Sequence, residues 1–354
     1  MTGAKNGPSA KKTEIALVLQ GGGALGAYEY GAILGLFDAM DAEENKGRQI
    51  VLKIVTGVSI GAINAACIVG ASDRNDARKR LCELWNDFMI RAPFLSGDIA
   101  LLGVPNFYKF WPSWTALYDT EQLLTTLPKH VCFETLNASN TAFVVTAVDV
   151  ESGQLKWFAN RKVGKIEPTT IGPRHVLASG SLAPQFPWTD IADGAEERHY
   201  WDGGIVDNTP LGAAIDGFTS EDGIDRLLVV MNLFPVKAKL PMSLAQVNDR
   251  VNQLRFGNRL RQDAENAGLI NDLISTIELL APYAPPQLQG EITKKYAAYK
   301  QVKTIEVSLS GDKTYSDMDG FRDFSSRGIR WRRDEGRDIA HPKLTDAFNN
   351  RLAA

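Results

Sequence analysis

The chain has 354 residues, 44% hydrophobic and 23% charged, with a formal net charge of −3 at pH 7. This is globular composition with material for an extensive core, so a fibrous repeat or general disorder is excluded as the default, as is a broad electrostatic drive toward nucleic acid.

The first residues, MTGAKNGPSAKKTE, have no apolar core segment and no cleavage-site pattern, so residues 1–13 read as a disordered polar tail and not as a signal peptide. No run approaches the roughly 18 apolar residues of a membrane span. A cytoplasmic protein is expected, with a peripheral contact at a membrane or lipid surface as an added reading. Three widely spaced cysteines, Cys67, Cys82 and Cys132, read as buried free thiols, not as disulfides or a metal site.

Ile15–Leu19 is a continuous apolar run, as a buried strand should be. It passes into Gln20-Gly21-Gly22-Gly23 and a helical segment, 24–40. A second strand, 50–56, leads to Gly57-Val58-Ser59-Ile60-Gly61 and an Ala/Ile-rich helix. This Gly-x-Ser-x-Gly pentapeptide between a β-branched run and a helical run predicts a serine at the tip of a sharp turn. The competing reading is a glycine-rich turn with an idle serine. A further helix is expected over 73–90. Residues 91–118 are aromatic and broken by proline, and read either as a lid or apolar mouth or as an ordinary packed insertion. Trp111 and Trp114 are expected near the pocket mouth.

Strands are expected over 141–148 and 155–158 around the Glu151–Gly153 turn, a helix over 174–179, and a buried strand over 227–233. Tyr200-Trp201 precedes Asp202-Gly203-Gly204, a short turn that can present a carboxylate. Pro235 marks a boundary. Beyond it a long helix is expected over 244–280, a proline break at 282–286, a helix to 299 and a strand over 303–309. The tail mixes Arg327, Arg330, Arg332, Arg333 and Arg337 with acids and reads as a solvated helix face, with an anionic-surface contact as the alternative.

Alternating strands and helices argue a mostly parallel sheet covered on both faces, with sites at the carboxyl ends of strands. Acyl transfer needs a nucleophile, a base and oxyanion donors. Ser59 is the candidate nucleophile. The loop Gly21, Gly22, Gly23, opening a helix, and the amide of Ile60 are the candidate oxyanion donors. A phosphate-binding loop and a packing turn are alternatives for the same glycines. The loop also scans as Gly-x-Gly-x-x-Gly through Gly26, but Asp38 and Asp41 fall at a helix end, not at the end of the second strand as a dinucleotide site requires. Of the histidines, His130, His175, His199 and His341, none sits in a recognisable catalytic loop. Asp202 is the better candidate base. An ordinary Asp ionises near 4, and burial beside the serine can raise it.

Together, Gln20–Tyr28, Gly57–Gly61, the Asp202-Gly203-Gly204 block with Asn208 and Pro210 beyond, and Ala178–Pro187 resemble the patatin-like phospholipase family over about residues 14–235. Residues 236–354 resemble a mostly helical C-terminal extension of some bacterial patatin-like proteins. The resemblance implies a three-layer α/β/α fold with a mostly parallel central sheet. It implies a lipid acyl hydrolase with Ser59 as nucleophile and Asp202 as general base, the glycine loop as oxyanion hole, and Gly26, Gly57, Gly61, Gly203 and Gly204 as supporting glycines. A lipid or other acyl ester is the implied partner, with no metal or cofactor. Many members carry a basic residue where this chain has Leu25, which weakens the case for a phosphate-headgroup preference. A histidine-containing esterase triad, an acyltransferase and a non-catalytic lipid- or partner-binding protein are the alternatives.

Overall fold

A computed structural model describes residues 12–91, 120–194, 196–234, 237–296, 299–309 and 323–349. The polar tail up to residue 11 and the aromatic segment from 92, with Trp111 and Trp114, lie outside the described residues.

The chain runs β1 (Thr13–Leu19), α1 (Gly26–Glu44), β2 (Ile50–Gly57), α2 (Ile60–Val69), α3 (Arg74–Arg91), α4 (Glu121–His130), α5 (Phe133–Ala138), β3 (Ala142–Asp149) and β4 (Leu155–Ala159). It continues with α6 (Pro173–Gly180), β5 (Thr189–Asp193), β6 (Glu196–Asp202), α7 (Leu211–Asp216), β7 (Asp225–Asn232), α8 (Leu244–Leu280), α9 (Pro286–Tyr296), β8 (Lys303–Ser308) and α10 (Ser326–Asn349). Among the described residues the strands form one sheet in the order β5-β6-β3-β2-β1-β7-β8, and β4 also pairs with β3. The run from β3 to β8 is parallel, while β4, β5 and β6 are antiparallel additions.

Strand alternation divides the core into two layers. Ile15, Leu17 and Leu19 of β1 face one side with Leu227, Val229 and Met231 of β7, under α1, α2, α3 and α10. Ala16, Val18, Leu228 and Val230 face the other, under Leu211 of α7 and Leu260 of α8. Residues buried on both faces read as unbroken apolar runs, which is why β1 and β7 were legible as central strands.

Four differences from the sequence reading stand out. The hairpin of β5 and β6 was not expected, because Thr-Asp-Ile-Ala-Asp and Glu-Glu-Arg-His carry little apolar signal at a sheet margin. Cys82 is exposed on α3 and Cys132 is half-buried, so of the three cysteines read as buried only Cys67 is. The arginine-rich tail is helical, but it is not a plain solvated face. Arg332 is buried, donating to the Asp323 backbone oxygen at 2.7 Å and to its carboxylate at 3.3 Å. Finally, β8 pairs with β7 in parallel from Leu227↔Lys303 to Asn232↔Ser308. The central sheet therefore runs on into residues beyond 235.

Candidate active site

Ser59 stands between the end of β2 and the first turn of α2, with φ 55° and ψ −126°. It is the one non-glycine residue at positive φ among the described residues. A serine held there is strained, and its surroundings must enforce the conformation. They do so by close approach. A Cβ on Gly57 would lie 2.6 Å from the Gly61 oxygen, and one on Gly61 would lie 2.6 Å from the oxygens of Leu19 and Gln20. The turn is thus pressed against the end of β1, where only glycine fits. The Ser59 N–H donates to Ser179 Oγ of α6 at 2.9 Å, which pins the tip from a third element.

Asp202 reaches the same place by register. Val144 and Val145 of β3 pair with β4 on one flank and with β2 on the other. Ala147 and Val148 stay paired with β4, so β6, which also pairs with them, occupies the flank that β2 leaves at its turn. Gly57 lies opposite Val145 and Asp202 opposite Ala147. Strands β2 and β6 therefore meet end to end, from opposite directions, beside β3. Sequence reasoning placed Asp202 in a short turn but could not see the antiparallel strand that delivers it.

The Ser59 side chain lies beside the Asp202 carboxylate and favours its charged form. Asp202 Oδ1 also accepts from the Gly204 N–H at 2.7 Å. Its side chain is 2% exposed. Burial raises its pKa to about 7, against the lowering effect of the Ser59 and Gly204 hydrogen bonds. A Cβ on Gly203 would lie 2.6 Å from the Thr146 oxygen, so the turn after Asp202 also needs its glycine.

The glycine loop faces this pair. A Cβ on Gly21 would lie 2.8 Å from Ser59 Cβ. Gly26 abuts Ile60 equally closely, which ties the two helix starts together. The Gly21 N–H, however, donates to Asn208 Oδ1 at 3.1 Å, and Asn208 Nδ2 donates back to the Gly21 oxygen at 3.0 Å. The Gly21 N–H is therefore already engaged by Asn208. Among the described residues the amides of Gly22, Gly23 and Ile60 have no hydrogen-bond acceptor. Leu25, in place of a basic residue, is buried in the core.

Two positioning residues had not been assigned a role. Gln20 donates to Thr209 Oγ1 at 2.7 Å and accepts from the Leu233 N–H at 2.9 Å, joining the ends of β1 and β7. Glu29 is fully buried, accepting from the Gln20 N–H at 2.6 Å and from Asn64 Nδ2 at 3.1 Å. Burial pushes its carboxyl well above the usual range.

Three of the four histidines are engaged elsewhere. His130 pairs with Asp87 at 2.9 Å, His175 Nδ1 accepts from the Gly172 N–H at 3.0 Å, and His199 pairs with Glu151 at 2.5 Å. His341 is exposed on α10. Among the described residues no group of His, Cys, Asp and Glu could hold a metal ion.

The sequence profile described as Patatin-like phospholipase matches residues 17–215, more than half of the chain. The chain belongs to the patatin-like phospholipase family. Its solved structural neighbours include VipD from Legionella pneumophila, at 14% identity and a TM-score of 0.40, the match covering 96% of this chain and 67% of that one. They also include the type III effector protein ExoU, at 14% identity and a TM-score of 0.37, covering 96% and 53%. No curated protein sequence matches the chain. As a patatin-like phospholipase the chain is a lipid hydrolase with an α/β sheet fold. Among the described residues no helix is long and apolar enough to cross a membrane.

Proposed function

We propose that this patatin-like phospholipase is a serine lipid acyl hydrolase of the phospholipase A or lysophospholipase type, working through a Ser59–Asp202 dyad. The observation that carries this reading is a serine in a strained strand-to-helix turn beside a buried aspartate whose pKa is raised to about 7. A carboxylate with that pKa is a far better base at neutral pH than an ordinary aspartate.

The steps follow from the donors present. Asp202 takes the proton of the Ser59 hydroxyl as Oγ attacks the ester carbonyl carbon. The carbonyl oxygen becomes an oxyanion and receives the N–H groups of Gly22, Gly23 and Ile60, at the N-terminal ends of α1 and α2, where helix dipoles favour negative charge. Collapse breaks the C–O bond, and the leaving alkoxide takes the proton from Asp202. Water then attacks the acyl-enzyme while Asp202 accepts its proton, and as the second intermediate collapses Asp202 returns that proton to the departing Ser59 Oγ, freeing the serine and the fatty acid.

Fluorophosphonate labelling with mass spectrometry tests the reading. The label is expected on Ser59 in the folded chain, and to disappear in Ser59→Ala and fall sharply in Asp202→Asn. A folded chain that hydrolyses lipid esters without labelling at Ser59 would remove the dyad.

A further inference from the structure

Helix α8 is 37 residues long and meets the rest of the fold at a few points from Phe256 onward. Phe256 meets Phe234 with ring centroids 5.1 Å apart, and a Cβ on Gly257 would lie 2.7 Å from the Phe234 oxygen. Phe234 follows the carboxyl end of β7, and a Cβ on Gly22 of the glycine loop would lie 3.5 Å from its ring. Further on, Leu260 enters the core, and Asn271 Nδ2 donates to the Val302 oxygen at 2.7 Å, just before β8 begins. From Gly257 to Asn271 the helix therefore runs down the sheet face from the carboxyl ends of the strands to their amino ends. The thirteen residues before Gly257 extend the other way, about 20 Å at 1.5 Å per residue. They project past the sheet edge that carries Ser59 and Asp202.

That projecting arm is apolar on one stripe and basic in charge. Leu244, Val247, Val251 and Leu254 recur at spacings of three and four and are all exposed, as are Leu240 and Met242 just ahead, at 81% and 83%. Residues 237–256 hold four basic side chains, Lys237, Lys239, Arg250 and Arg255, against the single acid Asp249, in a chain whose net charge is −3. On the same edge, directly after Asp202-Gly203-Gly204, Ile205 and Val206 are exposed at 47% and 42%.

We propose that the N-terminal half of α8, with residues 237–243, is an interfacial arm that lies on an anionic lipid surface and holds the Ser59 edge against it. An apolar stripe flanked by basic residues binds in this way, by burying its apolar face at the headgroup boundary while basic side chains meet anionic lipid. The inference rests on the lipid-hydrolase reading for its occupant, because a site whose substrate resides in a bilayer gains from an apolar, basic arm on its own rim.

The test is sedimentation of the full chain with vesicles of phosphatidylcholine alone and of phosphatidylcholine mixed with phosphatidylglycerol, run beside hydrolysis of a soluble p-nitrophenyl ester. Binding to the mixed vesicles is expected, weakening with salt. A Leu244→Gln, Val247→Gln, Val251→Gln triple variant and a Lys239→Glu, Arg255→Glu double variant should each bind at least about tenfold less tightly, with soluble-ester turnover unchanged. Parent chain that stays in the supernatant, or variants that sediment as the parent does, would overturn the arm. A parent chain that is dimeric by light scattering and becomes monomeric in the triple variant would also overturn it, by making a second copy the occupant. Intact vesicle binding with no ester hydrolysis would instead strike the dyad reading and leave the arm standing.

Discussion

At Asp202 the demands of catalysis and stability oppose each other. The carboxyl is kept from water, which favours its neutral form, and only the Ser59 hydroxyl and the Gly204 N–H favour the charged one. With the carboxylate as the base of the proposed dyad, kcat/KM on a soluble ester is expected to rise with pH through an apparent pKa near 7 and to level off above it. The same shift sets a stability slope. Between the ordinary aspartate pKa and about 7, the unfolded chain has released this proton and the folded chain has kept it. Stability therefore falls as pH rises through that window, and the full penalty is present above it. Asp202→Asn should accordingly be inactive yet more stable than the parent at pH 8, by at most a few kcal/mol. The gain should shrink toward zero near pH 4. A stability difference that does not vary with pH in chemical denaturation would refute the buried-base account. Asn208 presents the opposite case, with two hydrogen bonds to Gly21 that hold the glycine loop in place. Asn208→Ala should lower kcat by at least about tenfold with a smaller change in KM, because the proposed oxyanion donors lose their fixed position. Equal effects on kcat and KM would point to a binding role instead. Ser59 was legible because its strand, turn and helix are contiguous in the chain. Asn208 was only a neighbour in a motif, because its partner lies 187 residues away and no local pattern announces such a bond.

Among the elements, the crossing of α1 and α10 shows what helical periodicity hides. A Cβ on Gly31 would lie 1.7 Å from the Arg333 backbone oxygen, and one on Gly336 would lie 2.1 Å from that of Tyr28. The two backbones touch through reciprocal glycines. In isolation Gly→Ala inside a helix is favourable by about 1 kcal/mol. Here the sign should reverse, since the added methyl meets a carbonyl oxygen of the partner helix and not a flexible side chain. Gly31→Ala is expected to destabilise the chain by about 1–3 kcal/mol in urea unfolding. The ordinary helix-propensity gain, if observed, would show that the helices part without cost. This also explains why the tail was only partly read, since Arg327, Arg330 and Arg337 are exposed as expected while Arg332 is buried. Arg330, Arg333 and Arg337 look like a charged face, but Arg337 reaches Asp38 of α1 at 2.7 Å while the backbone beneath them packs. Small residues that allow close approach leave no apolar signal, so the face appeared solvated. By contrast α8 was legible from end to end, Leu244–Leu280, because a serine cap, the absence of interior proline and the proline cluster beyond it are all local signals.

For the molecule as a whole, the question is whether residues up to 235 could stand alone. The four motif blocks all lie before that point, and Pro235 looked like a boundary because composition changes there. The sheet does not stop with the motifs. Strand β7 is covered along its outer edge by β8, whose Ile305 and Val307 are buried with the core, and α10 adds Ile329, Leu344 and Phe348 against α1. Parallel pairing across so long a connection is invisible to sequence periodicity, which registers a strand but not its neighbour. A chain ended at residue 235 would expose a row of unpaired β7 backbone groups on a strand of sequence Leu-Leu-Val-Val-Met, which is an aggregation edge. It would also bare the α1 face that Gly336 now meets. Such a truncation is expected to be insoluble, or to lose cooperative thermal unfolding, although every candidate catalytic residue is present. If residues 1–235 instead unfold cooperatively as a monomer and turn over a soluble ester at the full-length rate, β8 and α10 are additions to a self-sufficient domain. The contacts of β7 and α1 with them favour the first outcome, because they bury main chain and not only side chains, and exposed edge backbone has no other partner in the remaining fold.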